Sequence, residues 1–458
     1  MGREGEEGAG SPAPSLSTSS TTTPSSPSPS SSSAIPRFFE KTRDERLGAI
    51  SDAAGLGAED AEALRDASGG LAFEQADNMV ENAIGTLATP LGVATNFVVN
   101  GRDVLVPMAI EEPSVIAAAS KGAKAARGGG GFRAVSSEAY SIGQIQLLDV
   151  ADADAAVRRI AERSEDIIAL ANTKSSTLSK MGLGAKEVSC RVADAPSGRM
   201  LIAELLIDVG DAMGANITNS MCEAVAPLLE DICGGKNKGA RALLRILSNY
   251  STRRTVRAQA TFPQDTVGGP GVVSDMISAF EFADCDVYRA VTHNKGVMNG
   301  IIAVANATGQ DGRAIEAAAH AYACRTGRYR SLTQWGRNGS GDLVGTIELP
   351  MSVGVVGGVV TVHPVARACV RILGAGSAGE LACIMASAGL AQNYAAMRAL
   401  ATDGIQKGHM RLHARNLAVA AGAGPGEVDR VASKMVSEGT VSMQGARDVL
   451  GSGRRAAG

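Results

Sequence analysis

Between Ser141 and Arg245 the chain reads strand (SIGQIQLLDV), helix (ADAAVRRIAERSEDIIALAN), strand (AKEVSCRV), strand (RMLIAELLIDV), helix (ITNSMCEAVAPLLEDI). No other feature constrains the fold as tightly. A β-α-β-β-α unit makes a small sheet with helices on one face, the split βαβ arrangement. Chain of a different character flanks it on both sides, so the unit predicts a compact inserted domain.

Ser, Thr and Pro fill almost every position from Gly10 to Ser33. Such a segment cannot bury enough apolar surface to offset chain entropy, which predicts a disordered tail. Arg43 to Asp66 then reads as helix, with Leu47, Ile50, Ala54 and Leu56 on one side. Asn100-Gly101 separates the apolar runs ATNFVV and DVLVPMAI, a strong hairpin signal. Glu111-Glu112-Pro113-Ser114 leads from it into an Ala-rich helix, with Pro113 suited to the first turn. The glycines from Gly128 to Gly131 close that helix. After the inserted unit come the strand VRAQATF, Ala-rich helices from Gly271 to Cys324, a Gly-rich strand pair (DLVGTIELP and VGVVGGVV), and helices to the end. Aromatics are only 3% of the chain against 55 glycines. The core must therefore be built from small side chains with backbones in close approach.

A formal net charge of -3, with both signs mixed, leaves no basic patch for nucleic acid or a membrane surface. The seven cysteines show no pair at metal-ligand or redox-motif spacing. They predict free thiols in a reducing compartment and no metal site. No apolar run reaches the roughly 18 residues of a membrane span. No basic stretch followed by an apolar one marks a secretory signal. Met1-Gly2 begins a myristoylation pattern that Glu6 breaks, because Ser or Thr is needed there. A cytoplasmic protein is predicted.

Four motifs are candidates for chemistry. Gly374-Ala-Gly376-Ser-Ala-Gly379 matches G-x-G-x-x-G after the strand-like ACVRIL. A dinucleotide site of that type needs an acid some 20 residues on, and AQNYAAMRAL offers none, so a closely packed helix start is the better reading. Asp211-Ala-Met-Gly-Ala-Asn216 follows an apolar strand and precedes a helix. Asp211 can cap that helix, Gly214 admits a ligand to the backbone, and the helix N-terminus can hold a phosphate; on the residues alone an ordinary strand-to-helix turn is the better reading. In His293-Asn-Lys295-Gly-Val-Met-Asn299-Gly, followed by Gly309-Gln-Asp311, a lysine and an aspartate occupy an otherwise apolar region. The bland alternative is a buried ion pair, costly without a purpose; the functional one is an oxyanion-stabilising lysine held by a carboxylate. Gly408-His409-Met-Arg-Leu-His413 places two histidines on one helix face without a third ligand. One catalytic histidine beside a surface one fits better than a metal site.

Taken together, ENAIG (Glu81 to Gly85), VPMAIEEPS (Val106 to Ser114), DAMGAN, RAVTHNKGVMNG (Arg289 to Gly300), GQD and GHMRLHARN resemble the hydroxymethylglutaryl-coenzyme A reductases, in the family's order. The HNKG form of the lysine motif resembles the second, bacterial-type class. The resemblance runs from about Ile35 to Leu450. It implies an α+β fold: a large, mostly helical substrate domain (35–138 and 246–402), an inserted small ferredoxin-like cofactor domain (139–245) and a C-terminal helical flap (403–458), after a tail (1–34). It implies reduction of hydroxymethylglutaryl-CoA to mevalonate and free coenzyme A by two hydrides, in a homodimer or a multiple of dimers.

The same resemblance implies roles. Lys295 polarises the thioester carbonyl, Glu112 supplies a proton, Asp311 links the two in one hydrogen-bonded network, and His409 protonates the departing thiolate. Arg289, Ser114, Asn299 and Gln392 bind the substrate's carboxylate and hydroxyl groups. Asp211, Met213, Gly214 and Asn216 match the dinucleotide-binding motif. The cofactor is NADPH or NADH. Members that prefer the unphosphorylated form carry an acid near Thr173-Lys174-Ser175-Ser176, where Lys174 would instead accept a 2′-phosphate.

These roles suit the chemistry. Each hydride transfer creates an oxyanion that needs a cation and a proton donor in a dry site. An imidazole titrating near ~6.5 suits thiolate protonation. The rival is a coenzyme A thioester hydrolase using Glu112 and His409, weakened by the lack of a G-x-S-x-G elbow. A ligand-binding protein without catalysis would leave Lys295 and Asp311 unexplained.

Overall fold

A computed structural model describes residues 32–66, 70–196, 198–234, 239–402, 404–424 and 426–456. The expected tail up to residue 31, and the side chains at 405–412 and 453–456, lie outside the described residues. Ordered contacts begin earlier than the sequence suggested. The Ser33 amide donates to Asp103 at 2.7 Å, and Arg127 donates to the same carboxylate at 2.7 Å.

Three short helices open the chain: α1 (Arg43–Ala54), α2 (Ala58–Arg65) and α3 (Phe73–Met79). The expected continuous helix over Arg43 to Asp66 breaks at Gly55, which caps α1. Then follow β1 (Leu91–Val99), β2 (Arg102–Ala109), α4 (Val115–Arg127) and β3 (Phe132–Ser136). Asn100 (φ 51) and Gly101 (φ 79) make the hairpin turn as the sequence requires.

Next in the chain are β4 (Tyr140–Leu148), α5 (Ala153–Glu162), α6 (Ser164–Asn172), α7 (Ser176–Lys180), β5 (Gly184–Ala195), β6 (Gly198–Asp208), α8 (Ala215–Cys233) and β7 (Arg241–Ser248). They form an antiparallel sheet in the order β5-β6-β4-β7, the ferredoxin-like topology. Strand β7 has no counterpart in the sequence reading. It is an edge strand with Leu243, Leu244 and Ile246 exposed, so its side chains lack the in-out alternation that marks a half-buried strand.

The remainder comprises β8 (Thr255–Phe262), α9 (Gln264–Val267), α10 (Pro270–Cys285), α11 (Val287–Ala307), α12 (Gly312–Ala323), β9 (Thr333–Arg337) and β10 (Leu343–Pro350). Helices α13 (Val359–Val362), α14 (Pro364–Leu373), α15 (Ala378–Ala401), α16 (Ile405–Ala420), α17 (Val428–Ser437) and α18 (Met443–Ala456) complete it. A mixed sheet in the order β2-β1-β3-β8-β10-β9 joins both flanks of the insertion. Two expectations fail here. VGVVGGVV is a loop leading into α13, because its paired glycines break the strand, and the partner of β10 is β9. ACVRIL is helix α14, capped by Gly374, so the G-x-G-x-x-G run only joins two helices.

Helix α15 runs through the core and is buried from Leu381 to Ala395. Helices α4 and α11 cross it where side chains are absent. A Cβ on Gly122 would stand 2.1 Å from the Ala391 carbonyl oxygen, and one on Gly300 would stand 2.8 Å from that of Ala388. Backbone contact replaces aromatic bulk, as the composition demands. Other apolar clusters lie within the small sheet and its helices and among α16 to α18. Among the described residues no single helix is long and apolar enough to cross a membrane. The chain has a mixed α+β fold.

Candidate active site

After β2 ends at Ala109, the segment Ile110 to Ser114 turns sharply into α4. Ser114 sits at the N-cap in the left-handed region (φ 73, ψ -12), and its Oγ is buried without a hydrogen-bond partner among the described residues. Such a conformation costs about 1–3 kcal/mol for a residue with a Cβ and gathers at functional sites. Pro113 therefore precedes the helix and is not part of its first turn. The turn directs Glu112 at α11. Lys295 Nζ donates to Glu112 Oε2 at 2.6 Å, and Asn299, one helical turn on, donates to the same oxygen at 3.3 Å. In the single chain this pair is open to water: the Lys295 side chain is 58% exposed and that of Glu112 is 38% exposed.

Two further expected residues lie on helices α11 and α15, which cross beside this cluster. Arg289, in the first turn of α11, is half-buried, and burial lowers its pKa. It has no ion-pair partner among the described residues. Gln392 on α15 is buried, its Oε1 unsatisfied among the described residues and its Cβ against Gly300. A half-buried cation without an anion and two orphaned polar atoms are what a site for a carboxylate and a hydroxyl requires.

The structure does not bring Asp311 into this group. Asp311 caps α12, accepting from Ala314 N at 3.1 Å, and lies 3.5 Å from Arg313 Nε. No hydrogen bond or ion pair joins it to Lys295 or Glu112 among the described residues. Helix geometry gives the reason: from Lys295 to Ala307, α11 climbs roughly 18 Å before the chain turns towards Asp311. Among the described residues of one chain, Asp311 does not complete the expected three-residue network. His409 falls on α16, but its side chain lies outside the described residues; His413 on the same helix is exposed.

A cavity of about 1620 Å³ opens from Glu112 and Ser114, passes Lys121 and Lys124, and reaches the apolar faces of the N-terminal helices. Sequence reasoning missed these two lysines, because one turn of an Ala-rich helix does not reveal which side faces a cavity.

The second site begins at the end of β6. Gly214 (φ 100) is the N-cap of α8, and a Cβ there would stand 2.7 Å from Val209. No side chain caps α8, so its first N–H groups stay available for an anion. The expectation that Asp211 caps α8 is wrong: its Oδ1 accepts from Ala378 N at 2.8 Å, at the start of α15. Met213 is partly exposed and Asn216 is exposed on the first turn of α8. Lys174, after α6, is exposed, while the Ser175 hydroxyl is used to cap α7 by accepting from Leu178 N at 3.1 Å. Sequence reasoning also passed over Arg254 and Gln310, which hold this loop from behind.

Comparison with known proteins joins the two sites. Residues 42–414 match the family model of hydroxymethylglutaryl-coenzyme A reductase. The chain is 49% identical over 418 residues to 3-hydroxy-3-methylglutaryl-coenzyme A reductase of Archaeoglobus fulgidus, covering 91% of this chain and 94% of that one. A solved reductase from Streptococcus pneumoniae superposes with a TM-score of 0.77 at 37% identity, covering 91% of this chain and 98% of that one. Another structure, described as the class II enzyme of that organism bound to NADPH in open conformations, gives a TM-score of 0.75 at 37% identity, covering 90% of this chain and all 100% of that one. A lysine-bridged glutamate, with an arginine on the lysine's own helix that lacks an ion-pair partner among the described residues, on a fold shared over nine-tenths of its length, leaves one assignment: the chain belongs to the hydroxymethylglutaryl-coenzyme A reductase family, class II.

Proposed function

We infer that the chain reduces hydroxymethylglutaryl-coenzyme A to mevalonate and free coenzyme A, with two hydrides from NADPH or NADH, and works as a homodimer. The contact that carries the reading is Lys295 on Glu112 at 2.6 Å, a cation beside a carboxyl group that can take up a proton and pass it on. Lys295 stabilises the oxyanion that forms on the thioester carbonyl and again on the aldehyde. Glu112 delivers the proton to that oxygen, and Asn299 holds the carboxylate in place. Arg289 takes the substrate's free carboxylate, and Ser114, Asn299 and Gln392 take its hydroxyl and carboxyl oxygens. The coenzyme A arm extends along the cavity past Lys121 and Lys124, whose ammonium groups suit its phosphates. His409 on α16 protonates the thiolate that leaves after the first reduction.

The uncapped start of α8 and the close approach at Gly214 fit a dinucleotide pyrophosphate. Bound there, the cofactor supplies hydride. Asp211, Met213 and Asn216 shape that loop, and Lys174 offers a cation to a 2′-phosphate, which supports NADPH.

Two observations support the dimer. Lys295 and Glu112 are open to water in a single chain, and Val287, Tyr288 and Val291 expose apolar surface on the same helix. A second copy laid on α11 would dry the site and bring its own Asp311 to Lys295, the step one chain cannot make. The seven free thiols suit the cytoplasm.

Loss of nicotinamide absorbance on adding hydroxymethylglutaryl-CoA, measured with NADPH and NADH in turn, tests the reading. Release of thiol without that loss would identify a hydrolase, an alternative that none of the comparisons favours.

A further inference from the structure

Two side chains that face neither proposed ligand tie the dinucleotide loop to the turn carrying Asp311. Arg254, just before β8, is 5% exposed. Its Nη1 donates to the carbonyls of Ala212 at 3.1 Å and Met213 at 3.2 Å, and its Nη2 donates to Val353 O at 2.6 Å. Burial lowers its pKa to about 10, against the charges of Asp211 and Asp208, so it stays a cation at neutral pH.

Val353 belongs to the segment Met351 to Val355 that follows β10. There Val355 N donates to Asp211 O at 2.9 Å. A Cβ on Gly354 would stand 2.6 Å from Met213 N, so the two backbones touch with no room for a side chain. On the other side of the segment, Gly354 N donates to Gln310 Oε1 at 2.9 Å, and Gln310 Nε2 donates to Gly354 O at 3.0 Å and to Thr308 O at 2.9 Å. Gln310 is the residue before Asp311. Hydrogen bonds joined through the backbone of Val353 to Val355 therefore lead from the cofactor loop to the turn that carries Asp311. Every polar group of Arg254 and Gln310 named in it is bonded to backbone, so both act through other residues.

We propose that Arg254 and Gln310 are positioning residues, which lock the dinucleotide loop and Asp311 into one rigid frame so that hydride donor and carboxylate arrive at the substrate together. The inference rests on the reading of Asp211 to Asn216 as the cofactor loop and of Asp311 as catalytic. A misplacement near 1 Å is enough to slow a reaction about 100-fold, so a frame of this kind sets the rate without touching the reacting atoms.

Gln310→Met keeps the length of the side chain and removes its three hydrogen bonds. Turnover should fall about 10- to 100-fold, with an unchanged KM for hydroxymethylglutaryl-CoA. The isotope effect with NADPH deuterated at the transferred position should rise, because hydride transfer becomes the slow step. Gln310→Glu, which keeps the acceptor for Gly354 N–H, should restore part of the rate. Arg254→Lys keeps the charge but loses the planar fork, and should weaken NADPH binding, followed by nicotinamide fluorescence, more than substrate binding. Normal turnover in Gln310→Met, or a loss with no change in isotope effect, overturns the proposal. If Gln310→Met does not fold, Gln310→Glu is judged by the same two criteria. Asp311→Asn separates the levels: an active variant sinks the reading of Asp311, whereas an inactive one beside a normal Gln310→Met sinks only the frame.

Discussion

The Lys295 ammonium donates to the Glu112 carboxylate at 2.6 Å, while the carboxylate that should steady them both, Asp311, caps a different helix. In the proposed mechanism, charge that appears on a thioester oxygen near Lys295 meets a cation already in place, beside a carboxyl group that can deliver a proton once it is protonated. In the ground state that oxygen is nearly neutral, so the lysine adds little to substrate binding. Lys295→Ala should lower turnover by roughly two to three orders of magnitude and leave the KM for substrate almost unchanged. Steady-state kinetics, with folding checked by thermal melts, decides the point. Retention of more than about a tenth of normal turnover would sink the assignment.

Arg289 should behave in the opposite way. Its guanidinium is half-buried without an ion-pair partner among the described residues, and in the proposed role it would hold the substrate carboxylate equally in ground and transition states. Arg289→Ala is expected to raise KM with a smaller effect on turnover. A fall in turnover at unchanged KM would move the carboxylate site elsewhere.

Two residues before Lys295, His293 is buried, with Nε2 2.7 Å from Thr333 Oγ1 and 3.2 Å from Asn393 Nδ2. Burial, with the nearby Arg289 charge, pushes its pKa from the ordinary 6.5 down to about 3, against the pull of Asp284. The folded state therefore favours the neutral ring. Its contribution to stability is complete above pH 6.5 and is lost progressively as pH falls towards 3. Thermal melts should show that loss in the wild type and a shallower slope in His293→Gln. Equal slopes would mean that other groups set the acid sensitivity.

Features fixed by short-range chemistry could be read from the sequence. Asn100-Gly101 demands its turn whatever surrounds it, and the β-α-β-β-α order of the insertion carries its own topology. Failures came where distant parts meet. Asp211 caps a helix that begins 167 residues later, and Arg254 satisfies carbonyls about 40 and 99 residues away. ACVRIL, rich in β-branched residues, is helical because α14 buries Ile372 and Cys369 on one face, a tertiary override of local preference. The Glu112 to Lys295 contact spans 183 residues, and motif resemblance, not periodicity, brought those two together.

Lys174 is exposed, and the proposed cofactor site puts it where an acid would bind a ribose hydroxyl. Lys174→Asp should move the ratio of kcat/KM values from NADPH towards NADH, because a carboxylate repels a 2′-phosphate. An unchanged ratio would place the determinant at another residue.

The length of α11 between Lys295 and the turn that leads to Asp311 makes a prediction about which chain supplies which residue. If each site takes Lys295 and Glu112 from one copy and Asp311 from the other, two inactive variants should rescue each other. In a mixed dimer of Lys295→Ala and Asp311→Ala, one site carries both changes and the other carries neither. Random reassortment gives about half mixed dimers by two-fold symmetry, each with one intact site. The mixture should thus recover roughly a quarter of wild-type activity, while each variant alone stays inactive. Were both residues drawn from the same chain, every site in the mixed dimer would carry one change and none would work. Refolding the variants together and assaying nicotinamide oxidation separates the cases; the absence of any recovery, with mixed dimers confirmed by differential tags, would rule out Asp311 from the second copy.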